Sequence, residues 1–292
     1  MSELHVGETS RSILVKREGA FGDVCCVTPI TRRLRRENPG ATIHVLTQYG
    51  GVFAGNPDVD GAGWGPPPLG HYDRVVDLNG SFERRLRKVN SVDCYMLDAF
   101  GDGGAPADKD VFLADTDLPP GVPRTNMVAL HPARSWRQRT MSQEFWEDVA
   151  DGFNAAGFSP VALGTPQDWR LESALDTTHC GYTPQQQAAI IRASSVLVAS
   201  ESGIMGGLLP ATDTPGVGLI TMGSHTMVAP WRHGELGWRF TAMYPKGLDC
   251  HGCCTRLKEP STFWGCTERG DFACVERFDP GEVVEAALAW TN

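Results

Sequence analysis

The sequence predicts an α/β protein with two parallel sheets, one in each half of the chain. In the first half, the apolar run SILVK at residues 12–16 precedes apolar residues at helical spacing between positions 24 and 34, and then the alternating pattern ATIHVLTQ. The order strand, helix, strand restarts at MVALHP, residues 127–132. Strands that alternate with helices in this way form βαβ units, whose strands are parallel.

The remaining elements follow from local signals. In the first half, Asn38-Pro39-Gly40 ends the first helix and RVVDLNG, residues 74–80, forms a further strand. In the second half, helices begin after Ser142 and Thr183, which are typical N-cap residues. The other predicted elements are the strands PVALG, VLVAS and GVGLIT, a helix after the turn ESG at residues 201–203, and a final helix in PGEVVEAALAW.

Gly, Pro and Asp are concentrated between residues 98 and 125, and we place a linker near 115–126. The predicted domains are therefore residues 1–122 and 123–292. No run of about 18 apolar residues occurs, and the polar N-terminal stretch lacks the apolar centre of a signal peptide. We expect a cytoplasmic protein without a transmembrane segment.

The formal net charge is −9, which argues against a surface that coats nucleic acid or anionic lipid. Two local clusters nevertheless are basic. One reading is a solvated helix face, and the other is a patch that binds an anionic acceptor. The clusters are Arg32, Arg33, Arg35 and Arg36, and then Arg84, Arg85, Arg87 and Lys88.

The stretch ILVKREGAFGDVCC resembles the opening of the ADP-heptose:lipopolysaccharide heptosyltransferase family, also called glycosyltransferase family nine. The resemblance continues in family order through HPARSWRQR, GYTPQQQAAIIRASS, ESGIMGG and TPGVGLITMGS, and covers nearly the whole chain. It implies the GT-B architecture, in which two Rossmann-like domains with parallel sheets face each other across a cleft. The N-terminal domain then holds the acceptor, the C-terminal domain holds the sugar nucleotide, and the last helix packs back on the N-terminal domain.

Asp23 is the expected catalytic residue. Transfer of a sugar to a hydroxyl needs a base to take the hydroxyl proton, and the resemblance places Asp23 in that role. The alternative role is a carboxylate that stabilises a helix N-terminus. Because a helix N-terminus lowers the pKa of a carboxyl group, we expect Asp23 to act through its position and not through high basicity.

Donor-binding residues are expected in the second half. The resemblance gives Ser135 and Arg139 the role of holding the diphosphate, with Arg139 where the family has Lys. Glu201, Ser202 and Gly203 stand where the family has Asp-Ser-Gly, and Gly206 where it has His. Glu201 could bind sugar hydroxyls or cap a turn. Further candidates are Asp168 for the ribose, and Gly223 and Ser224 for the diphosphate.

Five of the nine cysteines fall within 25 residues near the C-terminus. Tetrahedral sulfur coordination of zinc or iron fits four of them, and the resemblance implies a metal there as well. The alternative is reduced thiols. The site would be structural, since four thiolates leave no open position. The four predicted ligands are Cys250, Cys253, Cys266 and Cys274.

The predicted function is inverting glycosyl transfer, plausibly of heptose, from a nucleoside-diphosphate-sugar to an acceptor hydroxyl, without a catalytic metal. An ADP-sugar is the favoured donor. The acceptor could be a glycan, a protein Ser or Thr, or a hydroxymethylated base of phage DNA. The alternative from another class is a catalytically silent nucleotide-binding scaffold. The oligomeric state stays open, a homo-oligomer being one option.

Overall fold

The structure is a computed structural model that describes residues 11–85, 89–256, 266 and 269–291. Its first half contains a four-stranded parallel sheet with the order β3-β2-β1-β4. Together with the second parallel sheet described below, this sheet confirms the predicted α/β class. The strands of this first sheet are β1 (Ser12–Lys16), β2 (Thr42–Leu46), β3 (Gly61–Gly63) and β4 (Arg74–Asp77).

The helix after β1 is divided in two, where the sequence pattern predicted one continuous helix. Pro29 lies in the first turn of the second piece, and proline cannot donate the backbone hydrogen bond that would continue the first. The hydroxyl of Thr28 donates instead to the carbonyl of Cys25 at 2.9 Å. The helices of the first half are α1 (Phe21–Cys25), α2 (Thr28–Glu37), α3 (Ser81–Arg84) and α4 (Ser91–Phe100).

The second half contains a six-stranded parallel sheet with the order β12-β9-β8-β5-β6-β7. Sequence analysis missed β12, because the four residues FTAM are too short and too mixed to show a period. The strands of this sheet are β5 (Met127–His131), β6 (Ser159–Ala162), β7 (Leu175–Asp176), β8 (Val196–Ser200), β9 (Gly216–Leu219) and β12 (Phe240–Met243). A separate antiparallel pair consists of β10 (Trp231–Arg232) and β11 (Glu235–Leu236).

The helices of the second half begin at the predicted caps: the side chains of Ser142 and Thr183 accept hydrogen bonds from the third residue of their helices. They are α5 (Gln143–Ala155), α6 (Pro184–Ala193), α7 (His225–Val228) and α8 (Pro280–Leu288). A π-helical turn, Ile204–Leu208, takes the place of the helix predicted after ESG. Short 3₁₀ turns are Gly50–Phe53, Pro106–Asp108, Arg137–Arg139, Leu209–Ala211, Cys253–Arg256 and Ala273–Glu276.

The last helix, α8, lies against α5 and the strands β8 and β9 of the second sheet. That it also packs back on the first half, as the family resemblance implies, stays a prediction. Its apolar residues Val283, Val284 and Ala287 are buried in the core of that half. Val284 fits closely over Gly152 of α5, where an added β-carbon would stand 2.9 Å from its methyl group. Apolar burial against this surface stabilises the observed position.

One apolar cluster spans the two halves, and in it Val24 and Cys25 of α1 pack with Ile204 and Leu208 of the π-helical turn. The boundary predicted at residue 122 lies between β4 and β5 and stays a prediction. No helix in the described part of the chain has the length and apolar content needed to cross a bilayer.

Candidate active site

A cleft of about 360 Å³ opens where the two halves meet. One wall comes from the loop after β1, from α1 and from the region of α3 and α4. The other wall comes from the loops after β5 and β8 and from α7. The lining residues include Asp23 and Glu83 on the first wall, and Arg139, Glu201, Ser202 and Gly203 on the second.

The backbones of the two walls touch at the floor of this cleft. A β-carbon added to Gly22 would stand 2.8 Å from the Cα atom of Gly203, closer than real β-carbons approach. Only glycine therefore fits on α1 at this point. Asp23 and Ser202 are the chain neighbours of these glycines. The contact therefore brings the predicted base close to a residue that is predicted to bind the donor.

The Asp23 carboxylate is held from one side. Its Oδ2 atom lies 2.9 Å from Nη2 of Arg17 and accepts a hydrogen bond from the N–H of Ala20 at 3.1 Å. Both contacts use Oδ2, which leaves Oδ1 available to a hydroxyl group in the cleft. The side chain is 22% exposed, so a substrate could reach it.

The expectation of a lowered pKa for Asp23 was wrong. Burial raises the pKa of its carboxyl group above the ordinary value of 3.8, although the charge of Arg17 opposes the rise. The nearby carboxylate of Glu83 raises the pKa of Asp23 as well. Helix α1 has only five residues, too few for its dipole to outweigh these effects. Asp23 is thus a stronger base than an exposed aspartate.

Sequence analysis missed Arg17, which immediately follows β1. The side chain is buried and contacts Asp23, Glu83 and the Leu78 carbonyl, with its guanidinium 5.3 Å from the ring centre of Tyr95. A cation beside a carboxylate fixes the orientation of the carboxylate and keeps it ionised. A charged residue directly after a buried parallel strand was the available signal.

Arg139 reaches the cleft from the 3₁₀ turn after β5. Its guanidinium lies 4.2 Å from the ring centre of Trp136, another lining residue. Stacking on an indole holds the planar guanidinium in place. Arg139 and Asp23 therefore border the same space from opposite walls.

The Glu201 carboxylate is occupied by the protein itself. Its Oε2 atom accepts hydrogen bonds from the N–H of Thr221 at 2.9 Å, the Thr221 hydroxyl at 2.8 Å and the N–H of Met222 at 2.9 Å. Its Oε1 atom accepts one from the N–H of Gly223 at 2.6 Å. Of its two anticipated roles, the geometry supports that of a cap, and the loop after β9 is what it holds.

The other donor candidates divide between the cleft and its surroundings. Ser202 and Gly203 line the cleft, whereas Ser135, Asp168, Gly223 and Ser224 are not among its lining residues. Ser135 is exposed on the loop after β5, and the Asp168 carboxylate accepts hydrogen bonds from the N–H groups of Thr165 and Arg134. Gly223 is bound to Glu201, and Ser224 precedes α7.

Comparison with solved structures gives matches over nearly the whole chain. A glycosyltransferase family 9 protein from Veillonella parvula has a TM-score of 0.71 at 15% identity, with 96% of this chain and 97% of that chain covered. The iron-containing dodecameric glycosyltransferase TibC from enterotoxigenic E. coli has a TM-score of 0.72 at 16% identity, with 97% of this chain and 78% of that chain covered. The E. coli ADP-heptose lipopolysaccharide heptosyltransferase II has a TM-score of 0.66 at 17% identity, with 96% of this chain and 98% of that chain covered.

The chain shares the GT-B fold of these glycosyltransferases. The GT-B architecture predicted from the sequence is confirmed by these structures. At the level of sequence, no family model and no curated protein matches the chain.

In the folded chain, the four predicted metal ligands lie near one another. Burial and, to a smaller extent, the charges of Cys253, Cys266 and Cys250 together raise the pKa of Cys274 to about 12. Such mutual influence requires proximity. Within residues 11–85, 89–256, 266 and 269–291, however, no group of three or more His, Cys, Asp or Glu side chains could hold a metal ion. Thiols are suitable ligands for zinc or iron, but the described side chains are not arranged so that they could hold the ion. The metal stays a prediction.

The described residues of both basic clusters are largely engaged in ion pairs. Arg84 and Arg85 both contact Asp98, while Arg87 and Lys88 lie outside the described residues. In the first cluster, Arg33 pairs with Asp102 and Glu37, Arg35 with Asp60, and Arg36 with Asp108. These pairs favour the reading of a solvated, internally neutralised helix face over a patch for an anionic acceptor.

Proposed function

We propose that the protein is a glycosyltransferase that binds a nucleoside-diphosphate-sugar in the cleft and transfers the sugar to an acceptor hydroxyl. One observation carries this proposal: a partly buried carboxylate with a raised pKa, Asp23, and a stacked guanidinium, Arg139, face the same cleft from opposite walls. The N-terminal domain, residues 1–122, would hold the acceptor, and residues 123–292 the donor. The fold shared with known heptosyltransferases supports this division.

In the proposed reaction, the acceptor oxygen attacks the anomeric carbon while Asp23 takes the hydroxyl proton. The bond between that carbon and the diphosphate oxygen breaks, and its electron pair leaves with the diphosphate. Arg139 stabilises the charge that develops there, so the step needs no metal ion. A single displacement on the opposite face inverts the anomeric configuration.

We propose an ADP-sugar, specifically ADP-heptose, as donor. TibC, which shares the fold, has been solved in complex with ADP-D-β-D-heptose. For the acceptor, a hydroxyl of a glycan or protein is favoured over modified DNA, because the basic clusters are occupied by acidic partners. A cytoplasmic location is part of the proposal.

A thermal-shift series with ADP-, UDP- and GDP-sugars tests the donor. A donor at a hundredfold excess over its dissociation constant should stabilise the fold by about 2.7 kcal/mol. Loss of a charged hydrogen-bonding partner of the diphosphate should make the dissociation constant of Arg139→Ala about ten- to a hundredfold higher. The control is Arg137→Ala, because Arg137 lies on the same turn but outside the cleft lining.

Equal affinity in the two variants would contradict the placement of the diphosphate. A donor that binds but is neither transferred nor slowly hydrolysed with any acceptor would instead support the scaffold alternative.

A further inference from the structure

Behind Ser202, the second wall of the cleft contains a buried chain of three side chains. The Ser202 Oγ atom lies 2.8 Å from Nδ1 of His131, the last residue of β5. On the far side of the ring, Nε2 of His131 lies 3.5 Å from Oδ2 of Asp168. The side chains of His131 and Asp168 are each 7% exposed. Only Ser202 of the three lines the cleft.

The charge of Asp168 determines which nitrogen of His131 carries the proton. Burial alone would raise the pKa of Asp168, but its contacts with His131 and with the N–H groups of Thr165 and Arg134 lower it to about 2. Asp168 is therefore ionised at neutral pH. A proton on Nε2 faces this carboxylate favourably, whereas an Nε2 lone pair would repel it in a buried site. When the ring is neutral, it therefore carries its proton on Nε2.

The proton on Nε2 in turn fixes the direction of the Ser202 hydroxyl. With Nδ1 unprotonated, the 2.8 Å contact is a hydrogen bond that Ser202 donates to His131. The Oγ atom also accepts a hydrogen bond from the N–H of Met205 at 3.3 Å. A hydroxyl has one proton and two lone pairs, so one lone pair remains for a ligand in the cleft.

We propose that His131 is a positioning residue that turns the Ser202 proton away from the cleft, so that Ser202 accepts a hydrogen bond from a hydroxyl of the transferred sugar. This inference rests on the proposed function. An ionised diphosphate has no proton to donate, and its oxygens would meet the Ser202 lone pair unfavourably. A sugar hydroxyl can donate. Ser202 therefore recognises the sugar portion of the donor, and the diphosphate binds elsewhere in the cleft.

The first test measures the tautomer of His131 directly. In ¹⁵N-histidine-labelled protein at neutral pH, two-bond ¹H–¹⁵N spectra distinguish the two neutral tautomers and the imidazolium ion. The signals of His131 are those that His131→Gln lacks. We expect the proton on Nε2 in the wild type. In Asp168→Asn the carboxylate is gone, and we expect a larger share of the Nδ1–H form. A wild-type ring protonated on Nδ1, alone or on both nitrogens, would overturn the inference.

The second test separates sugar from diphosphate recognition. Ser202→Ala should weaken binding of the sugar nucleotide about fivefold, the effect of one neutral hydrogen bond, while the affinity for the free nucleoside diphosphate changes less than twofold. Asp168→Asn should show the same selective loss. The control is Ser195→Ala, just before β8 at the opposite end of that strand from Ser202. Equal losses for both ligands would overturn the inference.

The two tests fail independently of the proposed function. If no sugar nucleotide or nucleoside diphosphate binds the wild type, the proposed function is wrong, and the tautomer measurement still decides whether His131 directs the Ser202 proton. If both ligands bind and the tautomer is as expected but Ser202→Ala has no effect on either, the hydroxyl does not contact the sugar and the inference is wrong.

Discussion

The carboxylates on the two walls of the cleft differ in how many hydrogen bonds they receive from the protein. On the second wall, Glu201 accepts four, all from the loop after β9. On the first wall, Asp23 accepts one from Ala20 and faces one cation, Arg17. Both residues border the same space, but Glu201 is 2% exposed whereas the Asp23 side chain is 22% exposed, so Asp23 is also the more accessible of the two.

This difference separates a carboxylate that organises the protein from one that is available for reaction. The four hydrogen bonds occupy lone pairs of the Glu201 carboxylate, so few acceptor positions remain for a substrate. With fewer partners, burial dominates at Asp23 and raises its pKa. The comparison predicts that substitution of Asp23 affects turnover, whereas substitution of Glu201 affects stability.

The largest expected effect is that of Asp23→Asn on turnover. The amide keeps the size of the side chain but cannot take a proton, so kcat should fall about 10²- to 10⁴-fold. Loss of the Asp23 charge leaves the buried Arg17 paired with Glu83 alone, so the free energy of unfolding should also fall, by less than the roughly 3–5 kcal/mol that an unpaired buried charge costs. Steady-state kinetics with an accepted donor, together with urea unfolding, measure both quantities.

Asp117→Asn makes the same chemical change on an exposed loop and serves as the control. In the wild type, kcat/KM should rise with pH through a midpoint above 3.8, since the pKa of Asp23 is raised and its ionised form is the base. Unchanged turnover in Asp23→Asn would show that Asp23 is not the base. The carboxylates of the two walls would then not differ in the way proposed.

Sequence analysis assigned Asp23 and Arg139 to the site through the family resemblance, and in the structure each residue follows a strand of a parallel sheet. Hydrophobic periodicity gave the strands β1, β2, β5 and β8. These signals come from short stretches of sequence. They correspond to strands of the structure because the apolar residues that form the pattern are buried there.

The features that sequence analysis missed depend on contacts between distant parts of the chain. Whether Glu201 binds a sugar or caps a loop depends on Thr221–Gly223, about twenty residues away, and the pKa of Asp23 depends on Glu83. The position of α8 depends on Gly152 more than a hundred residues earlier. No short window of sequence contains such pairs.

The second prediction concerns Glu201→Gln, which should destabilise the protein. The new amide group would point N–H bonds at backbone N–H groups of Thr221–Gly223, and buried donors without partners cost about 1–3 kcal/mol each. We expect the free energy of unfolding to fall by roughly 2–4 kcal/mol. Glu172→Gln, on an exposed site, is the control in urea unfolding. Equal stability of the two variants would mean that the loop after β9 does not depend on Glu201.

The smallest effect is expected for Asp168, a second well-bonded carboxylate, as a function of pH. Its folded pKa of about 2 lies below the unfolded value of 3.8, so its stabilising contribution is fully present above pH 5 and is lost as the pH falls towards 2. The contribution amounts to about 2 kcal/mol. Between pH 5 and pH 2 the wild type should therefore lose about 2 kcal/mol more stability than Asp168→Asn, which carries every other titrating group. If both proteins lose the same stability between pH 5 and pH 2, hydrogen bonding does not hold Asp168 in its charged form. The number of hydrogen bonds from backbone N–H groups would then not explain the difference between Asp23 and the carboxylates of the second wall.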